Sequence, residues 1–265
     1  MIARGRGTNV RFGIIGGTGF YTLSAQAEQR LVQTDYGTAT VDLTLLGGQE
    51  VAFIARHGRE HAIPPHLVNY RANIAVLRAL GVTHILASAA VGTLNPIMQP
   101  GDFAVPDQFI DFTRGRAGSF FDQGKPVRHT DMTVPYCPQL REELQRAGAF
   151  LGHALHPAAV YVCTEGPRFE TPAEIEMFRR LDGDLVGMTG VPEAPLAREA
   201  GICYAAVAAV TNWAAGLGEM PLDHEEISAR MSEQMATIRR IFDGVIENWR
   251  ERPCDNCALP APESA

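Results

Sequence analysis

The chain has 265 residues, of which 46% are hydrophobic and 20% are charged, an ordinary composition for a globular protein. Its net charge is −7 at pH 7 and its basic residues are scattered, which argues against nucleic acid as a partner. The longest apolar run, residues 202–210, has about half the length needed to cross a bilayer, and the N-terminus does not have the pattern of a secretory leader. We therefore expect a cytoplasmic protein that binds neither nucleic acid nor membrane.

Short apolar runs alternate with helical patterns along the chain, and no linker divides it. The predicted strands, apolar enough to be covered on both faces, are Val10–Ile15, Val41–Leu46, Val51–Ala55, His84–Ala90, Asp102–Val105, Ala158–Cys163, Asp184–Gly187 and Cys203–Val210. The predicted helices are Val68–Leu80, Gln139–Ala149, Thr171–Leu181, Pro192–Ala200 and about His224–Trp249. This order predicts an α/β fold: a single domain over residues 1–250 with a mixed, largely parallel central β-sheet flanked by helices.

Four of the five cysteines have an informative context. Cys163 and Cys203 lie within apolar, strand-like runs and are expected to be small buried hydrophobic residues. Cys254 and Cys257 form a C-x-x-C pair in a proline-rich tail. A redox or metal role for this pair requires a βαβ context or a second cysteine pair, and the sequence pattern shows neither. Residues 251–265 are therefore expected to form a disordered tail.

A glycine-rich loop, GIIGGTGFY over residues 13–21, follows the first predicted strand. Glycines allow backbone N–H groups to converge on an anion, and Thr18 adds a hydroxyl donor. The G-x-G-x-x-G spacing of a dinucleotide site is not met, no clear helix follows Tyr21, and the lysine of a Walker loop is absent. The loop by itself is therefore compatible with an anion site or with a tight turn.

Arg56 and His57 follow directly after another predicted strand. Arginine offers a bidentate fork to phosphate, and His57 offers a further donor. The segment from His57 to His61 also matches the H-x-x-E-H pattern of some zinc peptidases, which requires a helix. Gly58 and two consecutive prolines at 64 and 65 argue against a helix, so we do not expect a metal here.

Polar residues also follow the later predicted strands, where open α/β sheets bind ligands. An aromatic residue beside a carboxylate, Phe169-Glu170, suits stacking on a flat base and accepting N–H bonds from its edge. The same pair also suits a core aromatic residue and a solvated acid at a helix start. Residues 186–193 and 210–213 place further polar groups just beyond strands.

Together, GIIGGTGFY, ARHGREHAIPPHLVNYRANI, GPRFETPAE, GMTGVPEAPLAREAGI and the C-terminal helix resemble the purine nucleoside phosphorylase and methylthioadenosine phosphorylase family, from about Val10 to Trp249. The resemblance implies cleavage of a nucleoside by inorganic phosphate as co-substrate, no metal or redox cofactor, and homotrimers or dimers of trimers. The phosphate site that it implies consists of Thr18, Arg56, His57, the Ala89–Ala90 backbone and Thr189. The family usually has Thr or Asn where this chain has Ala89, so only backbone donation, or Ser88 beside it, can substitute.

The resemblance also implies a nucleoside site. Its expected residues are Phe169, Glu170, Asn212 and Ala214 around the base, and Met188, His224 and His129 around the sugar. His129 resembles a histidine that reaches into a neighbouring subunit's pocket. Asn212 and His57 are the candidate catalytic residues. Members of the family that accept 6-aminopurines have Asp at the position of Asn212, whose amide can instead donate to O6 and N7 of the leaving purine. We therefore expect 6-oxopurine nucleosides, inosine and guanosine, as substrates.

Three alternatives are kept open. His224 resembles a histidine that binds a 5′-hydroxyl, but residues 55–74 are closer to the methylthioadenosine branch, so S-methyl-5′-thioinosine or S-methyl-5′-thioadenosine is the alternative substrate. A nucleoside hydrolase would need a base for water, often aspartates around a metal, and no Asp-rich strand end is present. A non-catalytic nucleotide sensor would leave Arg56 and His57 without a purpose.

Overall fold

The computed structural model describes residues 10–122, 124, 127–218, 224–252, 254 and 257, with the backbone alone at 224–229. The strands are β1 (Phe12–Gly16), β2 (Glu28–Thr34), β3 (Gly37–Leu46), β4 (Gln49–Ala55), β5 (His84–Thr93), β6 (Phe103–Ala104), β7 (Gln108–Phe112), β8 (Leu155–His156), β9 (Val160–Thr164), β10 (Leu185–Gly187) and β11 (Cys203–Trp213). The helices are α1 (Tyr70–Ala79), α2 (Pro138–Phe150), α3 (Pro172–Arg180), α4 (Gly190–Glu199) and α5 (His224–Asn248).

The strands in the described part of the chain form one sheet. Its main path is β2-β3-β4-β1-β5-β10-β9-β7; β11 pairs with β5 and β6, and β6 also pairs with β8. Six of the ten pairings are parallel, which confirms the predicted mixed, largely parallel sheet. Because β1 and β11 are both parallel to β5, and β4 is parallel to β1, the carboxyl ends of these four strands meet at one edge.

Alternation along β1 explains the two helical layers. Phe12 and Ile14 belong to a core shared with α2 and α5, whereas Ile15 belongs to a core shared with α1 and α4. Successive side chains of a strand point to opposite faces, so a strand that is apolar at every position can be covered on both sides. The predicted single-domain α/β architecture with flanking helices is confirmed.

The predicted strands and helices are all present, whereas three strands were missed. β2 contains no buried residue and pairs only with β3, so its sequence lacks the apolar pattern of an inner strand. β7 is likewise half-exposed, and β8 has only two residues. The predicted start of α3 is confirmed in detail: Thr171 and Glu174 form a reciprocal capping box, with Pro172 in the first turn.

Two further predictions concern the chain's surface and its tail. Among the described helices, none is both long and apolar enough to cross a membrane.

In the tail, Cys257 is only 5% exposed and packs into the core shared by α2 and α5, with Cys254 against it. Their neighbours are Cys137 and Cys203, from distant parts of the chain. The second cysteine pair that the sequence pattern did not show is therefore provided by the fold, and at these two positions the tail is packed.

Candidate active site

A cavity of about 380 Å³ lies at the edge where β1, β4, β5 and β11 end. Segments that follow β1, β4, β9 and β10 complete its wall, together with residues of β5 and β11. The cavity brings together most of the residues that the sequence singled out, namely Thr18, Arg56, His57, Ala89, Ala90, Phe169, Glu170, Met188, Thr189, Asn212 and Ala214.

The middle of β5 provides a backbone donor. β1 pairs with residues 84–87 of β5 and β10 with residues 92 and 93, which leaves residues 88–91 unpaired on that side. The carbonyl of Ser88 faces this gap, since it accepts from Arg56, whereas the carbonyl of Val91 faces β11 and accepts from Thr211. Because N–H and C=O directions alternate along a strand, the N–H of Ala90 points into the gap. Backbone donation is therefore possible despite the missing side-chain donor at Ala89.

The glycine loop contacts this gap closely. A Cβ on Gly17 would lie 2.7 Å from the Ser88 carbonyl oxygen and 2.9 Å from Nη1 of Arg56, so only glycine fits. The N–H of Gly17 donates to Ser88 Oγ at 2.9 Å and that of Phe20 to the Gly17 carbonyl. In the described part of the chain, the N–H groups of Thr18 and Gly19 have no such partner, and Thr18 lines the cavity. Ser88 is fully buried and does not line the cavity, so it supports the loop rather than replacing the side chain missing at Ala89.

Arg56 is held by a buried carboxylate. Its Nε and Nη2 donate to the two oxygens of Glu193 at 2.7 Å each, and both side chains are almost fully buried. Burial alone would lower the pKa of Arg56, but the attraction and hydrogen bonds of Glu193 outweigh it and raise that pKa above its ordinary value. Three of the five guanidinium N–H groups are used by Glu193 and Ser88, which leaves one on each terminal nitrogen. The predicted fork is thus only partly free for phosphate.

His57 is neutral in this environment. Burial, with the Arg56 charge nearby, lowers its pKa to about 4. Its Nδ1 lies 2.8 Å from the Ile63 carbonyl, which can only accept, so Nδ1 carries the proton and Nε2 carries a lone pair. The expected role of His57 as a second donor to phosphate stays a prediction, since it requires a proton on Nε2. In the neutral form, Nε2 can only accept, for instance from a hydroxyl group of phosphate or of a sugar.

The segment between β9 and α3 provides an aromatic face and a carboxylate. Phe169 is 41% exposed and lines the cavity, so it is a surface for stacking rather than a core residue. Thr164, at the end of β9, donates to Glu170 Oε1 at 2.6 Å and orients that carboxylate. The second oxygen of Glu170 is not engaged by this bond and can accept from the edge of a base.

Asn212 reaches the cavity through an irregularity in β11. The register between β11 and β5 shifts between Val210 and Asn212, so Thr211 and Asn212 both line the cavity although they are consecutive. Thr211 donates to Asn212 Oδ1 at 2.8 Å, and Asn212 Nδ2 donates to the Trp213 carbonyl at 2.8 Å. One N–H of the amide is therefore free, whereas donation to both O6 and N7, as expected from the sequence, would need two.

A family model, described as the phosphorylase superfamily, matches residues 11–247. The chain belongs to the phosphorylase superfamily. It is 48% identical to a probable 6-oxopurine nucleoside phosphorylase from Moorella thermoacetica, over 95% of this chain and 98% of that one. It is 49% identical to the 6-oxopurine nucleoside phosphorylase of Pyrococcus furiosus, over 92% and 95% of the two chains. It is also 48% identical to a probable S-methyl-5′-thioinosine phosphorylase from Methanopyrus kandleri, over 89% and 91%.

Solved structures give the same family. The methylthioadenosine phosphorylase of Schistosoma mansoni in complex with adenine superimposes with a TM-score of 0.85 at 33% identity, covering 89% of this chain and 91% of that one. The resemblance stated from the sequence motifs is thereby confirmed at the level of the family and the fold.

One predicted residue of this phosphorylase is not brought to the cavity, and another has its side chain outside the described residues. His129 is exposed and is absent from the cavity wall, and its expected position in a neighbouring subunit stays a prediction. His224 begins α5, but its side chain lies outside the described residues.

Sequence reasoning missed two residues that hold the site together. Glu193 anchors Arg56 and also accepts from Tyr204 at 2.7 Å. Arg116, whose side chain is 3% exposed, donates to the carbonyls of Met188 at 2.8 Å and Glu165 at 2.7 Å, joining the two segments that carry Thr189 and Phe169. An acid inside the apolar run GVPEAPLA was a usable signal, because a buried carboxylate requires a partner. Arg116, in a loop of small and charged residues, gave no such signal.

Proposed function

We propose that this phosphorylase acts on 6-oxopurine nucleosides, inosine and guanosine, and converts them with inorganic phosphate to the free base and ribose 1-phosphate. One observation carries the proposal: a single cavity contains the anion donors of Thr18, Arg56 and Ala90 together with the base-reading pair Glu170 and Asn212. Relatives at about half identity over nearly full length, named 6-oxopurine nucleoside phosphorylases, support the same substrate class.

The chemistry follows from where charge develops. A phosphate oxygen attacks C1′, the bond between C1′ and the base nitrogen breaks, and its electron pair leaves with the purine. The purine becomes the neutral free base by taking up the proton that phosphate loses. The sugar passes through a cationic, oxocarbenium-like state that a fixed phosphate anion stabilises. The free N–H of Asn212 stabilises the negative charge that develops on the purine, while Glu170 accepts from N1–H. His57 Nε2 accepts from a hydroxyl of phosphate and so helps to orient it.

The reaction uses phosphate as a co-substrate and involves no metal or redox cofactor. We also propose a cytoplasmic enzyme of purine salvage that assembles as a homotrimer or a dimer of trimers, with small molecules as its ligands. The alternative substrate is S-methyl-5′-thioinosine, because the Methanopyrus kandleri relative with that name is as similar as the 6-oxopurine ones. The two substrates differ only at the 5′ position, where His224 is the expected partner of a hydroxyl.

The decisive assay measures release of free base from inosine, guanosine, adenosine, methylthioadenosine and methylthioinosine, each with and without phosphate. We expect inosine and guanosine to be cleaved only with phosphate and to yield ribose 1-phosphate. Cleavage without phosphate would indicate a hydrolase, and a higher kcat/KM for methylthioinosine would establish the alternative. Binding without turnover of any substrate would refute the proposed activity altogether.

A further inference from the structure

Four cysteines converge at a point outside the active-site cavity. The Sγ atoms of Cys137, Cys203, Cys254 and Cys257 all lie within 4.8 Å of one another, and all four are free thiols. Three of the side chains are buried and Cys254 is half-buried. None of the four lines the cavity that we assign to the substrates. In the part of the chain that is described, this is the one group of three or more His, Cys, Asp or Glu side chains close enough to share a metal ion.

The four thiols come from three separate segments that the fold fixes against one another. Cys137 directly precedes α2, and its N–H donates to the Tyr204 carbonyl at 2.8 Å, next to Cys203 at the start of β11. Cys254 and Cys257 follow α5, and the Cys257 N–H donates to the Cys254 carbonyl at 3.1 Å. A C-x-x-C turn facing a second cysteine pair is the arrangement of structural zinc sites in proteins.

The spacing of the sulfur atoms fits a tetrahedral metal site. Zn–S bonds of ~2.3 Å in a tetrahedron place neighbouring sulfurs about 3.8 Å apart. The sulfurs of Cys137 and Cys254 are 3.7 Å apart, whereas a disulfide requires about 2.0 Å. We propose that Cys137, Cys203, Cys254 and Cys257 bind one Zn²⁺ ion in a closed tetrahedral site. This site would hold the end of the chain on the domain and take no part in the reaction.

Binding of the ion is balanced by loss of protons. Four Zn–S bonds form, four thiol protons pass to solvent, and the site acquires a net charge of about −2. Cys137 occupies the N-cap position of α2 without a side-chain capping bond, at a helix end where the dipole favours negative charge. The proposed site differs from our expectation that the C-x-x-C pair has no metal role. That expectation was based on the sequence pattern alone, in which Cys137 and Cys203 are far from the pair. The family model ends at residue 247, so two of the ligands lie beyond the matched region.

The site is tested on the full chain, purified without a metal-binding tag and under reducing conditions. Elemental analysis should find about one zinc per chain, and chelation should lower the unfolding temperature. The double variant Cys254→Ser/Cys257→Ser should contain roughly a tenth of that zinc or less. Cys163→Ser is the matched control: it removes the buried cysteine outside the cluster and should keep the full zinc content. Equal zinc in the double variant and in the wild type would overturn the proposal.

Cobalt provides a readout that needs no variant. Co²⁺ added to the metal-free wild-type chain should give the intense visible bands of tetrahedral thiolate coordination, and Zn²⁺ should abolish them. Thiol counting under denaturing conditions should find five free cysteines once the metal is removed. A metal-free chain that takes up neither ion, or one in which these cysteines are found as disulfides under reducing purification, would overturn the proposal.

Discussion

Arg56 lines the active-site cavity and forms a buried ion pair with Glu193 behind it. A phosphate entering the cavity therefore encounters a guanidinium whose charge is already balanced. The carboxylate fixes the direction of the remaining N–H groups, so that geometry rather than excess charge binds the anion.

Replacing Glu193 by Gln should separate the contribution of geometry to phosphate binding from that of charge. The change leaves a buried arginine without its counter-charge, and we expect a loss of ~3 kcal/mol of stability and a higher KM for phosphate. Thermal unfolding should show a smaller stabilisation by phosphate in the variant than in the wild type, because weaker binding lowers the stabilisation at a given phosphate concentration. Tyr204→Phe is the control: it removes one hydrogen bond to the same carboxylate and should cost only ~1 kcal/mol. An unfolding temperature unchanged in Glu193→Gln would contradict the buried-pair interpretation.

His57 should make stability depend on acid. Its pKa is about 4 in the folded chain and 6.5 as a reference, so the unfolded chain binds more protons between these values. The stabilisation is complete above about pH 6.5 and falls as pH decreases towards 4, by about 3 kcal/mol in total. Urea unfolding at several pH values gives the free energy of unfolding as a function of pH. This free energy should change less with pH in His57→Gln than in the wild type. The comparison with wild type is needed because the pKa of His84 is also lowered by burial. The same pH dependence of the free energy of unfolding in both proteins would be inconsistent with a neutral His57.

Asn212 should determine which purine is accepted. Asn212→Asp replaces the free amide donor by a carboxyl group suited to N7 and an exocyclic amine. We expect kcat/KM to fall for inosine and to rise for adenosine-type substrates, and the mismatch of one buried polar group corresponds to ~1–3 kcal/mol. The ratio of the two specificity constants measures the effect. Equal loss on both substrates would mean that the residue does not read the base.

At the scale of elements, the apolar strands and the capped helices were predictable because burial leaves a regular pattern in the sequence. β2 was not, since an exposed edge strand is held by backbone pairing with β3 that its side chains do not encode. The irregularity in β11 that turns both Thr211 and Asn212 towards the cavity depends on how β11 meets β5, and the sequence alone does not show it. The fold brings most of the motif residues to one cavity, whereas their hydrogen-bond partners were not predicted from the sequence.

The junction between β1 and its glycine loop should be sensitive to a single methyl group. Gly17→Ala forces the loop away from Ser88 and Arg56, so the Arg56 guanidinium and the free N–H groups of the loop should lose their alignment. We expect KM for phosphate to rise roughly tenfold, equivalent to ~1.4 kcal/mol, with a smaller effect on KM for the nucleoside. Gly118→Ala serves as the control, because a Cβ there meets no atom within 4 Å. If both variants bind phosphate like the wild type, the close approach of loop and β5 is not functional.

At the scale of the whole molecule, the sequence predicted one domain and its family, but it could not predict contacts between segments far apart in the chain. Cys137 and Cys203 meet the tail cysteines only because β11 and the start of α2 are neighbours in space. The same limitation applies to Arg116, which connects two walls of the cavity from a loop without a recognisable motif.

The proposed assembly has its own test. If His129 reaches a neighbouring subunit's sugar pocket, His129→Ala should lower kcat/KM for inosine roughly tenfold while the mass measured by sedimentation stays that of a trimer or hexamer. The fold of each subunit should be unaffected, since the side chain is exposed in the single chain. Full activity of the variant, or a monomeric wild type, would rule out the shared pocket.

The unpaired stretch of β5 has a consequence for the protein without ligand. Between the end of β1 and the start of β10, the sheet lacks a neighbouring strand, and the amide of Ala90 is open to water. A bound anion would accept the hydrogen bond from the Ala90 N–H that a neighbouring strand would otherwise accept. Hydrogen exchange at this single amide should therefore slow when phosphate is added, while the amides on the β11 side of the same strand, already paired, keep their rates.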